Sequence, residues 1–203
     1  MTTVTPWTQR LATGTEDIQA EVIDWYQRTP RGKAYVPTMI WGTLQTEAYA
    51  TVILKHVVDF LDIRDDVPAG VAKRMERQKV LHDGEHHYDV ILGEQALYTN
   101  VGGPKVMAEQ MERLLRDMDL NSLTFGIIPT TAEITTVPVP AFNLHGAHNE
   151  SAHVELVSSG LEVTDPAELA LYEKAFTALQ HAAVYDTAAR DLVTKAHTFW
   201  TSR

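Results

Sequence analysis

The stretch YVPTMIWGTLQTEAYA, residues Tyr35 to Ala50, joins an extended aromatic segment to the start of a helix. Pro37 biases Val36 toward extended geometry and Gly42 permits a turn. Thr46 is placed to cap the helix, with Glu47 in the first turn to complement its dipole. From there Ala50, Ile53, Leu54, Val57, Val58 and Leu61 recur on one broad helical face. Met39, Ile40 and Trp41 are too apolar for a solvated loop. They pack on the core or, together with Tyr49, wall a ligand pocket.

Upstream, Thr15 is read as the cap of a helix over Glu16 to Arg28 that carries Ile18, Val22, Trp25 and Tyr26 on one stripe, and Pro30, Arg31 and Gly32 end it. Residues 1–15 are read as an N-terminal tail. Downstream, Asp62, Asp65 and Asp66 mark a break, and Pro68 sits in the first turn of a helix carrying Val71, Met75 and Leu81 inward. Short strands are expected at Tyr88 to Leu92, Leu123 to Ile128, Ala141 to Leu144 and His153 to Val157. Gly103 and Pro104 open a helix with a stripe of Met107, Met111, Leu114, Leu115 and Met118. Asp165, Pro166 and Glu168 start a long helix, whose pattern resumes from Asp186 through Phe199. The fold class that follows is α+β, a small mixed sheet flanked by helices with a long C-terminal helical segment, over residues 1–203 as one domain.

Composition narrows the function. The chain has 203 residues, 44% of them hydrophobic, and a formal net charge of −10. Phosphate-backbone affinity comes from Lys and Arg, so such a balance disfavours direct binding to nucleic acid or to an anionic membrane surface. With no cysteine, disulfides, thiolate nucleophiles and Cys-type zinc sites are excluded. No signal-peptide pattern and no membrane-length apolar run occur, and the expected location is the cytoplasm.

Two kinds of residue carry candidate chemistry. Arg74, Arg77 and Gln78 lie where the positive charge is densest, and the i,i+3 arginines present a fork to a carboxylate or phosphate unless they form a solvated face. Glu94 follows the first of the expected strands and either orients a helix or pairs with Arg77. Histidines form two groups, one around His82 and His86 and one with His145, His148 and His153. Neither has an established metal-ligand spacing, so no metal is assigned; His82, His86, His145 and His148 are the alternative set if one is bound, and otherwise these are solvated turn residues. No cofactor motif is present, and the cofactor is left unknown.

Together with RMERQKVL (Arg74 to Leu81), VILGEQALYTNVGGPKVMAEQMERLL (Val90 to Leu115) and FGIIP (Phe125 to Pro129), the opening stretch resembles the effector domain of actinobacterial antitoxin-like, Scr-type helix-turn-helix transcriptional regulators. The resemblance runs from about Trp25 to about Ala183, and Arg74, Arg77 and Gln78 match its R-x-x-x-Q and R-Q elements. It implies a ligand- or partner-binding role, with a small partner protein as well suited as a metabolite. Only Met1 to Thr15 precede the first amphipathic helix, too few for a helix-turn-helix, so the chain is expected as a stand-alone effector module that binds a small molecule or a partner protein without direct DNA binding. Homodimerisation through the Met-rich or C-terminal helix is expected. The alternative is a small-molecule-transforming enzyme recruited from the same domain, working through its histidines with a metal or cofactor; whether the chain is an enzyme is left open.

Overall fold

The computed structural model describes residues 1–146, 148 and 150–203. Within them, seven strands build one mixed sheet in the order β1-β7-β6-β5-β2-β3-β4. They are β1 (Thr2–Pro6), β2 (Arg31–Val36), β3 (His87–Gly93), β4 (Leu123–Ile128), β5 (Phe142–His145), β6 (Ser151–Glu155) and β7 (Ser159–Val163). The helices are α1 (Trp7–Arg10), α2 (Glu16–Gln27), α3 (Glu47–Leu61), α4 (Val67–Arg77), α5 (Pro104–Asp117), α6 (Pro166–Ala182) and α7 (Asp186–Thr201). The fold is α+β, as its sequence pattern implies.

The sheet has two halves. Strands β2, β3 and β4 run parallel, joined by helical crossovers as parallel strands must be. β5, β6, β7 and β1 add on antiparallel. Residues 159–163, where no strand is expected, form β7, and two further stretches depart from the sequence expectation. Residues 2–10, read as part of a tail, form β1 and α1, with β1 paired to β7. The run after Pro30, read as a helix stop, is β2, the strand that joins the two halves.

Period-2 alternation sorts the sheet's side chains between two layers. On one face Ala34, Val36, Tyr88, Val90, Leu92 and Ile127 pack with Met107, Met111, Val193 and Trp200 from α5 and α7. On the other, Tyr35, Ile91, Phe142, Leu144 and Val154 pack with Leu169, Phe176 and Leu179 of α6. A third cluster, Ala50, Leu54, Val58, Val67 and Val71, joins α3 to α4.

Two of the caps form as read. Thr46 accepts from Tyr49 N at 3.2 Å, and Asp165 accepts from Ala167 N at 3.0 Å and Glu168 N at 3.3 Å. Thr15 does not cap α2 with its side chain. Instead its hydroxyl and backbone N–H both donate to Asp66 Oδ1 at 2.7 Å, and Glu16 N donates to Asp66 Oδ2 at 3.0 Å. The first N–H of α2 and that of its cap residue are thus satisfied from the residue preceding α4, tying the two helices together.

Candidate functional site

A cavity of about 380 Å³ lies between α2, α3, α4, the segment from Thr38 to Gly42 and one face of β5 and β6. Its wall is made by two stripes that the sequence pattern assigns to the core. Ile18, Val22, Trp25 and Tyr26 of α2 all face it, and so do Ile53, Val57 and Leu61 of α3. Only Ala50, Leu54 and Val58 of the α3 stripe are fully buried. Met39 and Trp41 complete the apolar surface, while Phe60, Leu156 and Val157, largely exposed, lie at its edge.

The polar floor comes from strand alternation. Phe142 and Leu144, with Ala152 and Val154, turn to the α6 layer. Asn143, His145, His153 and Glu155 therefore turn the other way, and all four line the cavity. Cross-strand pairing sets Asn143 opposite His153. His145 and His153 are each 8% exposed, so they are buried sheet residues and not solvated turn residues. Trp25 lies over both, with ring centroids 5.7 and 5.2 Å away, and Tyr26 meets His145 edge-on at 5.4 Å. Burial pushes His145 down to about 3, aided by His153 and Arg77; burial and nearby Arg10 push His153 down to about 4. Both imidazoles are neutral at neutral pH.

Arg74 and Arg77 are 9% and 6% exposed, which rules out the solvated face as their setting. Arg74 Nε donates to Gln19 Oε1 at 3.1 Å and its Nη1 to Gln45 Oε1 at 2.6 Å, both neutral amides. The Arg77 guanidinium lies 5.1 Å from the centre of the Tyr26 ring, a cation–π contact. Neither arginine forms an ion pair among the described residues. Burial, then repulsion from Arg77, brings Arg74 down to about 9, above neutrality, and burial also lowers Arg77; guanidinium groups keep their proton in proteins. Glu155, exposed, is the carboxylate felt by both.

Among the described residues, four buried polar atoms on this surface have no hydrogen-bond partner: Arg77 Nε, Asn143 Oδ1, His145 Nδ1 and His153 Nδ1. The Trp41 indole N–H also lacks one; it lies toward the Tyr26 hydroxyl but outside hydrogen-bond geometry. Buried polar groups are nearly always paired, so such a concentration on one cavity sets this surface apart from the rest of the interior.

The other expected site residues lie elsewhere. Tyr49 is fully buried and its hydroxyl accepts from Ile40 N at 3.3 Å, supporting the segment that carries Trp41 without lining the cavity. Gln78 does not line the cavity: it donates to Gln45 O at 2.7 Å and accepts from Arg113 at 2.9 Å. Glu94 is not joined to Arg77; it accepts from Thr130 N at 2.7 Å and does not line the cavity. His82 and His86 line a separate shallow recess, with His86 Nδ1 2.7 Å from Asp83, and His148 is exposed. Among the described residues no three His, Asp or Glu side chains are placed to hold a metal ion, and no helix is long and apolar enough to cross a membrane.

Sequence reasoning passed over Gln45, Gln110 and Asn143. Gln110 accepts from Thr46 N and donates to Leu44 O, both at 2.7 Å, so with Gln78 it clamps the backbone just after Gly42. A buried Gln on the apolar stripe of α5 was the available signal. For Asn143, the alternation F-N-L-H followed by A-H-V-E was the clue.

A family model described as a domain of unknown function, DUF5753, matches residues 23–195. No functionally curated protein matches the chain. Among solved structures, TrmBL2, an archaeal chromatin protein reported to show a novel mode of DNA binding, is similar at 9% identity and a TM-score of 0.43, over 92% of this chain. The chain spans 55% of the length of TrmBL2. NucT from Helicobacter pylori is similar at 7% identity and a TM-score of 0.45, over 92% of this chain and 98% of NucT.

Proposed function

The chain belongs to the DUF5753 family of domains of unknown function, and we propose that it is an effector-type module that binds a small molecule in the cavity beneath α2, without direct contact to nucleic acid. The observation that carries this reading is the convergence of Arg77 Nε, Asn143 Oδ1, His145 Nδ1 and His153 Nδ1, all buried and unpartnered, on one apolar-walled space. Leaving a buried donor or acceptor unpaired costs about 1–3 kcal/mol each, and a ligand that pairs them recovers that cost.

Binding is favoured over proton-transfer catalysis by the state of the histidines. A general base works best with a pKa near the operating pH, and His145 at about 3 and His153 at about 4 lie far below neutrality. At neutral pH they act as hydrogen-bonding groups. The formal net charge of −10 supports the exclusion of a nucleic-acid partner.

The test is native mass spectrometry of the purified full chain after incubation with a small-molecule cell extract. A stoichiometric adduct is expected, and it should be absent in Ala141→Phe, which fills the cavity from its wall. No adduct, or one equally abundant in Ala141→Phe, would refute the proposal.

A further inference from the structure

We infer that the molecule this cavity takes is an organic oxyanion, an acidic head on an apolar body, with the head seated against Arg77 and the body along Val22, Trp25, Ile53 and Val57. The inference rests on the ligand-binding reading above and adds the ligand's chemical class.

Two guanidinium groups, each more than nine-tenths buried, stand side by side without a carboxylate in ion-pair distance. Arg74 is held by the amides of Gln19 and Gln45, which take two of its five N–H donors and leave its charge in place. Arg77 has the Tyr26 ring on one side and an unused Nε–H. A buried cation without a counterion is unfavourable, and Glu155 is exposed to solvent, which weakens its hold. An anion entering the cavity supplies the missing charge.

Hydrogen bonding points the same way. The Arg77 Nε–H is a donor in any state, and each neutral imidazole can carry its proton on Nδ1 and donate as well. A carboxylate or phosphate accepts several such bonds at once, and a guanidinium fork matches its geometry. The rest of the wall is apolar and aromatic, so a small hydrated ion would leave most of it unfilled. The ligand therefore has an apolar body. A cavity of about 380 Å³ is within the range that encloses a drug-sized molecule.

The cavity reports on itself: of the four tryptophans, Trp7, Trp25 and Trp41 line it, while Trp200 is hydrogen-bonded to Leu97 O elsewhere. Tryptophan fluorescence of the full chain is titrated with decanoate, decyl phosphate, decanol and decylamine, and with the matching 4-phenylbutyl series. At least one acid is expected to bind roughly tenfold or more tighter than its alcohol, the gain from one or two charge-assisted hydrogen bonds; carboxylate against phosphate identifies the head. Arg77→Met is expected to erase the preference by weakening the acid far more than the alcohol, and Arg77→Lys to restore part of it. Should Arg77→Met fail to fold, the isosteric Asn143→Asp places a negative charge on the same surface, and is expected to weaken the acids and strengthen the amine. Alcohol or amine binding as well as the acid would overturn the oxyanion class while leaving the binding module standing. Failure of every probe, beside a cell-extract adduct that is neutral or cationic, would also overturn it; failure of every probe with no adduct would remove both readings.

Discussion

Gly42 leaves the space that the Arg77 guanidinium occupies: a Cβ at position 42 would collide with Arg77 Nη2. The glycine in YVPTMIWGTLQTEAYA does not serve a left-handed turn, since Gly42 begins a short 3₁₀ segment, Gly42–Leu44, without positive φ. It admits a charged side chain from α4, 35 residues downstream. This contact links the stretch that marks the fold to the centre of the cavity.

Gly42→Ala is therefore expected to displace Arg77 and abolish acid binding, while destabilising the protein by about 1–3 kcal/mol, as for an overpacked core site. Pairing it with Arg77→Met should recover stability, because a methionine is shorter and adapts to the space left. A double-mutant cycle by chemical denaturation measures the coupling. Additive effects would show that the two residues do not compete for one space.

Acid should weaken the fold through His145 and His153. Their ordinary value is 6.5, and in the folded protein they fall to about 3 and about 4. Between those limits the unfolded chain binds the extra protons, so stability rises with pH. The contribution is complete above about pH 6.5 and is lost as the pH falls toward 4 and then 3, at up to about 1.4 kcal/mol per pH unit for each histidine. Denaturant midpoints between pH 5 and pH 7 should show a shallower slope in His145→Gln/His153→Gln than in the native chain. Equal slopes would contradict the buried neutral imidazoles.

Asp66 holds the start of α2 from outside that helix. Burial alone would raise its carboxyl, yet the hydrogen bonds from Thr15 and Glu16 outweigh it and lower the value. Asp66→Ala is expected to cost about 1–2 kcal/mol, the range for a lost helix cap. Since α2 carries Trp25 and Tyr26 over the cavity, acid binding should weaken in parallel. Thermal unfolding and the tryptophan titration check the two effects.

The strip formed by β1 and α1 lies ahead of the residues matched by the family model and closes one side of the cavity. Trp7 Nε1 donates to Leu156 O at 2.8 Å, and Arg10 lies 5.0 Å from the centre of the Trp25 ring. Removing residues 1–10 should leave the α5–α7 layer folded, by circular dichroism, and speed ligand release in stopped-flow fluorescence. An unchanged release rate would show that this strip is not part of the wall.

Most of the helical layer was legible in the sequence because its signals are local. The caps at Thr46 and Asp165, the proline at each of three helix starts and the apolar stripes of α5 and α6 all act within a few residues. The strands were harder. β1 and β7 are short, β1 exists through pairing with β7 across the whole chain, and β2 follows directly on a proline that reads as a stop. The site was half legible. Arg74, Arg77, Met39 and Trp41 were singled out by residue type and spacing, with a solvated face and a packed loop as the alternatives. Their burial was not legible, because it depends on α2 packing over α4. Nor was the polar row of Asn143, His145, His153 and Glu155, which appears only when β5 and β6 are placed with their apolar residues facing α6. The stripes of α2 and α3 read as core because a cavity wall and a packed core have the same helical period.

The central claim is that an acid is bound at Arg77. The most direct measurement is the NMR resonance of the Arg77 side-chain Nε–H in the full chain, followed while the tightest-binding acid of the decyl and phenylbutyl series is added. A saturable shift of that resonance, together with the imidazole resonances of His145 and His153, is the predicted result. Saturation with those three unmoved, and with shifts confined to α6 or α7, would contradict the account.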